Sequence, residues 1–159
     1  MIVYHGTNVE VREPLILRDE KGRDFGYAFY VTIVQEQAEK MARRKKRFYN
    51  DEKAIVNAYE FDEDYSSLLY KNFDQANLEW LDFIIECRTK PNKKHQFDLV
   101  DGKIADDSVG ETILDVIAGK MSRENAAEHL QFQEINHQLA FCTEKALKHL
   151  RFLYSYEVK

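Results

Sequence analysis

Apolar positions along this chain follow two periods, one of two residues and one of three to four, and the switches between them mark out the elements. Ile2-Val3-Tyr4 is a short β-prone run, and the polar His5-Gly6-Thr7 after it predicts a turn that ends the first strand. Arg18 to Asp24, with Gly22 inside it, reads as an exposed loop. From Tyr27 to Val31 the residues alternate, with Tyr27, Phe29 and Val31 on one face and Ala28 and Tyr30 on the other, which predicts a second strand. Thr32 with Gln35 three positions on makes a capping-box pattern. Val34, Ala38, Met41 and Ala42 then recur at helical spacing, predicting a helix to about Arg47 with those residues facing inward.

Ala54 to Phe61 reads as a strand and Ser67-Leu68-Leu69 as a shorter one. Between Asn77 and Arg88 the apolar residues are dense enough for a partly buried helix, and Phe97 to Val100 predicts a strand leading into Asp101-Gly102, a turn signal. Ser108 with Glu111 repeats the capping box, ahead of a helical face of Val109, Ile113, Val116 and Ile117 that stops at Gly119. Ser122 caps a short helix through Leu130, His137 to Cys142 reads as a strand, Thr143 caps a further helix, and Leu150, Phe152, Tyr154 and Tyr156 alternate as in a closing strand. Strands at both ends with helices between them predict an α+β fold. At 159 residues, with no repeat or linker, residues 1–159 read as a single domain.

Composition and charge narrow the function classes. A chain with 44% hydrophobic residues and only 6 Gly and 2 Pro is globular rather than disordered. The net charge of −5 argues against a protein whose main affinity comes from neutralising phosphates. The exception is the run Arg43-Arg44-Lys45-Lys46-Arg47, which reads either as a solvated helix end favoured by the helix dipole or as a contact surface for nucleic acid or an acidic protein. Cys87 and Cys142 sit in no CxxC or zinc-ligand spacing and suit two free thiols in a reducing compartment. No signal-peptide pattern and no apolar window of bilayer length occur, so the expectation is a cytoplasmic protein with no membrane partner. The absence of a glycine-rich phosphate loop, a nucleophile elbow and an HExxH motif removes several enzyme classes, and no metal site is expected.

The candidate chemistry lies in three short motifs, Tyr4-His5-Gly6-Thr7, Asp24-Phe25-Gly26-Tyr27-Ala28-Phe29-Tyr30-Val31-Thr32, and Asn136-His137-Gln138-Leu139-Ala140-Phe141-Cys142-Thr143. His5 reads either as a structural histidine or as a group that holds a ribose hydroxyl, beside a Gly6 that admits close backbone approach and a Thr7 that adds a hydroxyl. Tyr30 reads as a core aromatic or as a ring offered to a flat heterocycle. Gln138 reads as an exposed polar residue or as one that orients a hydroxyl or nucleophile, without the general-base capacity of a carboxylate. His137 falls on the opposite strand face from Gln138, so the two do not line one cleft. Asp106-Asp107 reads as a carboxylate pair for metal or catalysis, or as helix N-terminal anions.

Taken together these motifs resemble the His-Tyr-Glu ADP-ribosyltransferases, and in particular a bacterial family of that superfamily associated with toxin–antitoxin loci. The likeness extends to Gln37-Ala38, Glu79 to Phe83, Phe97 to Gly102 with Ala105-Asp106-Asp107, and Gln138 to Leu147, in the family's order and over most of the chain. Two positions depart from the pattern: Ala28 stands where glycine is usual, and Gln138 where glutamate is usual. The resemblance implies an ADP-ribosyltransferase-like split β-sheet core with intervening helices, and NAD as co-substrate. It implies cofactor-binding roles for His5, Gly6, Thr7, Gly26 and Tyr30, and catalytic roles for Tyr30, which stacks the nicotinamide, and Gln138. It further implies a cognate antitoxin as partner, and an acceptor of ADP-ribose that is protein, nucleic acid or small molecule. The departures keep two alternatives open, an NAD glycohydrolase and a catalytically silent nucleotide- or protein-binding domain.

Overall fold

A computed structural model describes residues 1–18, 23–103, 107–131 and 136–159, with only the backbone of Asp107 and Ser108. Most of the Arg18–Asp24 loop, Asp106 of the aspartate pair and the proposed Ser108 cap lie outside the described residues. The elements run β1 (Ile2–Thr7), β2 (Phe29–Val31), α1 (Gln35–Phe48), β3 (Ile55–Phe61), β4 (Tyr70–Phe73), α2 (Leu78–Thr89), β5 (Leu99–Lys103), α3 (Asp107–Ile117), α4 (Arg123–Leu130), β6 (His137–Phe141), α5 (Glu144–Leu147) and β7 (Leu150–Glu157). The fold is mixed α+β, with two small sheets.

One sheet is antiparallel in the order β1-β3-β7, and the other runs β2-β6-β5-β4, antiparallel except for the parallel β4–β5 pair. Parallel neighbours need a long crossover, and α2 supplies it. Strand alternation sorts the side chains into layers. Ala28, Val100 and Ala140 pack with Trp80, Leu81 and Ile84 of α2, Val109 and Ile113 of α3, and Leu130 of α4. On the opposite face Phe29, Val31, Leu99, Leu139 and Phe141 meet Val3, Tyr59 and Phe61 from the other sheet. Helix α1 covers the outer side of that sheet through Ala38, Ala42 and Val56. Buried Asn57 ties the chain after β1, accepting from the Val11 N–H at 2.8 Å and donating to the Val9 carbonyl at 3.0 Å.

Several expectations are corrected. His5-Gly6-Thr7 is not a turn: all three continue β1, opposite Asn57, Val56 and Ile55. Gly6 is glycine because α1 crosses there, and a Cβ would stand 1.9 Å from the Ala38 carbonyl oxygen. Asp101-Gly102 is likewise inside β5, where a Cβ on Gly102 would stand 2.9 Å from Cβ of Phe73 on β4. Helix α1 begins after Val34 with no side-chain cap. Thr32 instead accepts from the Val34 N–H at 3.1 Å and donates to Gln37 Oε1 at 3.3 Å, and Val34 itself is exposed. Ser67–Leu69 is not a strand but a turn that leads into β4 at Tyr70, and of Phe97–Val100 only Leu99 and Val100 join a strand, at the start of β5. Ser122 and Thr143 cap their helices as expected, accepting from the N–H groups of Asn125 and Ala146, and Asn77, not read as a cap from sequence, accepts from the Trp80 N–H.

Candidate functional site

Among the described residues, one β-bridge joins the backbones of the two sheets. Tyr4 of β1 exchanges both backbone hydrogen bonds with Thr32, each 2.8 Å, and this antiparallel bridge is isolated. Continuing its register would set Gly6 opposite Tyr30. The strands part instead, and the Nδ1–H of His5 donates to the Tyr30 carbonyl at 2.7 Å. The imidazole thus satisfies a backbone acceptor that would otherwise lose its ladder partner. Because both backbone groups of Tyr4 face β2, strand alternation turns the N–H and C=O of Gly6 the same way, into the split between β1 and β2.

His5 packs its ring on Phe29, with centroids 4.4 Å apart. Burial, aided by the charge of Lys45 and opposed by the bond to Tyr30, lowers its pKa to about 4, so the ring is neutral at pH 7. With the proton on Nδ1, Nε2 is a free acceptor and has no hydrogen-bond partner among the described residues. Burial and the nearby charge of Arg23 also lower the pKa of Lys45. Lys45 and Arg23 therefore set positive charge near the neutral His5.

Tyr30 is held from its far end. Its hydroxyl donates to the Gly26 carbonyl at 2.6 Å and accepts from the Phe25 N–H at 3.1 Å, and burial raises its pKa well above the phenol range. Gly26 has φ +83°, where a side chain is strained, and that turn aims its carbonyl at the hydroxyl. The segment is anchored twice more: Arg88 Nε donates to Asp24 at 2.7 Å, and His95 Nε2–H donates to the Phe25 carbonyl at 2.8 Å while Nδ1 accepts from Phe97. The alternation read from the sequence holds, but the Tyr30 face is itself a core face, and the half-buried ring packs against the helices' layer. The buried Thr7 hydroxyl donates to Asn8 Oδ1 at 3.2 Å.

Gln138 lies opposite Gly102, two residues from the Ala140 that pairs with Tyr30, so Gln138 and Tyr30 share a face of the sheet. It is half-buried. His137 points the other way, as expected, and its Nε2 contacts the Asp101 carboxylate, which also accepts from the Tyr70 hydroxyl at 2.6 Å. Burial acts to raise the Asp101 pKa, but the bonds from His137 and Tyr70 outweigh it and hold it below the usual range. This trio lines a cavity of about 120 Å³ with Ile33, on the Met1 side of the Tyr4–Thr32 bridge and away from His5.

Residues 1–152 match the family model described as "Protein of unknown function (DUF3990)". The chain belongs to this family. No curated protein and no solved structure matches it. In this DUF3990 chain the fold brings the His5 side chain to the Tyr30 backbone carbonyl beside Gly6, while the His5 ring packs on Phe29, on the strand face opposite the Tyr30 ring; Gln138 lies on the Tyr30 face, and Thr7 and Gly26 are engaged within the protein itself. Sequence reasoning passed over Lys45 because it sits in a run of cations. Its signal was helical spacing, since Lys45 continues the inward stripe of Ala38, Met41 and Ala42. The Tyr70–Asp101–His137 trio has no signal in sequence, its members coming from three strands. Among the described residues, no helix is long and apolar enough to cross a membrane.

Proposed function

We propose that this protein is an NAD-dependent ADP-ribosyltransferase of the split-sheet, His-Tyr-Glu type, acting in the cytoplasm as the toxin of a toxin–antitoxin or conflict system and held by a cognate antitoxin. The observation that carries the reading is the His5–Tyr30 bond at the split. It leaves a neutral imidazole with an acceptor nitrogen for a ribose hydroxyl, next to a glycine whose backbone donor and acceptor suit a carboxamide. Lys45 and Arg23 supply positive charge suited to a diphosphate. NAD presents these three chemistries together.

When bound, NAD supplies a glycosidic bond whose cleavage releases neutral nicotinamide and leaves an oxocarbenium-like ribose. The protein's part is positioning and electrostatics. His5 holds a hydroxyl without carrying charge, Gly6 grips the amide, and the Tyr30 ring, fixed by its hydroxyl, offers a rigid face to the nicotinamide. Gln138 orients a ribose hydroxyl or the acceptor, but its amide takes no proton from a nucleophile. That favours an acceptor already nucleophilic when neutral, and it supports the second reading, an NAD glycohydrolase whose acceptor is water.

Incubating the purified protein with labelled NAD and a cell lysate, followed by mass spectrometry of proteins and nucleic acids, tests both readings. Transfer or nicotinamide release that is lost in His5→Ala and Tyr30→Ala is expected. An NAD affinity equal in wild type and the double variant, with no NAD consumed, overturns the proposal.

A further inference from the structure

We propose that the outer face of α1 and the residues just beyond it form a binding surface for single-stranded nucleic acid. Lys40, Arg43, Arg44 and Arg47 are exposed and recur at spacings of three and four, so they form one stripe along the helix. The stripe ends on Phe48, 80% exposed, and Tyr49, 62% exposed, whose rings meet edge to face at 4.9 Å. No core reason holds two large rings in solvent at the end of a cationic stripe, on a chain whose net charge is −5.

The two features together select the occupant. Cations at helical spacing match a chain of phosphates, and exposed rings match bases, whose faces are open only when the strand is unpaired. A duplex would leave Phe48 and Tyr49 without a role, and so would an acidic protein, which needs the charge alone. A lipid surface is disfavoured because the apolar side of α1, Ala38 and Ala42, is buried against β1, so the helix has no continuous apolar face to insert beside Phe48 and Tyr49. Lys45, on the inner side of the same helix, acts on His5 and is not part of the exposed stripe.

Binding needs no NAD, so its test is separate from that of the transferase reading. Fluorescence anisotropy with short labelled single-stranded RNA and DNA, and with a duplex of the same sequence, is the measurement. We expect single strands to bind better than duplex, with affinity falling about twentyfold between about 50 and 200 mM salt, as three phosphate contacts predict. Phe48→Ala with Tyr49→Ala should weaken binding about tenfold or more, and Arg43→Gln with Arg47→Gln should flatten the salt dependence. All four sites are exposed, and matching thermal melts will show that the variants fold. Absence of binding by the wild type, equal binding of duplex, polyglutamate or anionic vesicles, or indifference to ring removal each overturns the proposal.

Discussion

The Nδ1–H of His5 donates to the carbonyl of Tyr30 at 2.7 Å, across the point where β1 leaves β2. A side chain thereby replaces a ladder hydrogen bond, and the histidine is neutral because it is buried next to Lys45. This one contact fixes the tautomer of His5 and bridges the split, so His5 serves stability, and under the proposed function it would bind ligand as well.

Its protonation has a definite sign. The folded pKa of about 4 lies below the ordinary 6.5, so between these values the unfolded chain binds the extra proton and stability falls as pH falls. His95, also lowered by burial, acts in the same direction. Urea titrations from pH 7 to 4 should show a loss on the order of 2 kcal/mol from His5. His5→Gln should remove that part and keep the part due to His95.

Gly6→Ala should unfold or displace α1. Its Cβ would lie 1.9 Å from the Ala38 oxygen and 2.8 Å from the Ala42 nitrogen, both backbone atoms of the helix. A loss of about 3 kcal/mol or more in chemical denaturation is expected. Gly102→Ala, whose nearest clash is 2.9 Å to Phe73 Cβ, should cost less, about 1–2 kcal/mol.

Tyr30→Phe separates the ring from the hydroxyl. It leaves the Phe25 N–H and Gly26 carbonyl without their partner and should destabilise by about 1–3 kcal/mol in thermal or urea melts. NAD turnover should survive better in Tyr30→Phe than in Tyr30→Ala, because the ring face remains. Equal turnover in the two variants would remove the stacking role.

Gln138→Glu introduces a carboxylate on the Tyr30 face. If an acceptor needs deprotonation, the variant should shift the products from free ADP-ribose toward modified acceptor, read by mass spectrometry. An unchanged product ratio would show that Gln138 does not face the acceptor.

Local signals were sufficient wherever one stretch of chain sets its own geometry. The helix starts at Ser122 and Thr143 follow from side chains that reach N–H groups three residues on, and the alternation of Phe29, Tyr30 and Val31 holds because a strand has a period of two. The α+β class follows from these. Gly6 and Gly102 misled, because glycine signals a turn locally but here marks a close approach by a distant element, α1 in one case and Phe73 in the other.

The sequence by itself therefore determined the helices, the approximate place of most strands and the motif residues, since propensity, capping and periodicity act over a few positions. Only the tertiary structure decided that β1 and β2 meet once and part, that His5 fills the gap, and that Lys45 turns inward while Phe48 and Tyr49 stay in solvent. Those outcomes depend on which elements pack together, and burial, tautomer and pKa are properties of that packing.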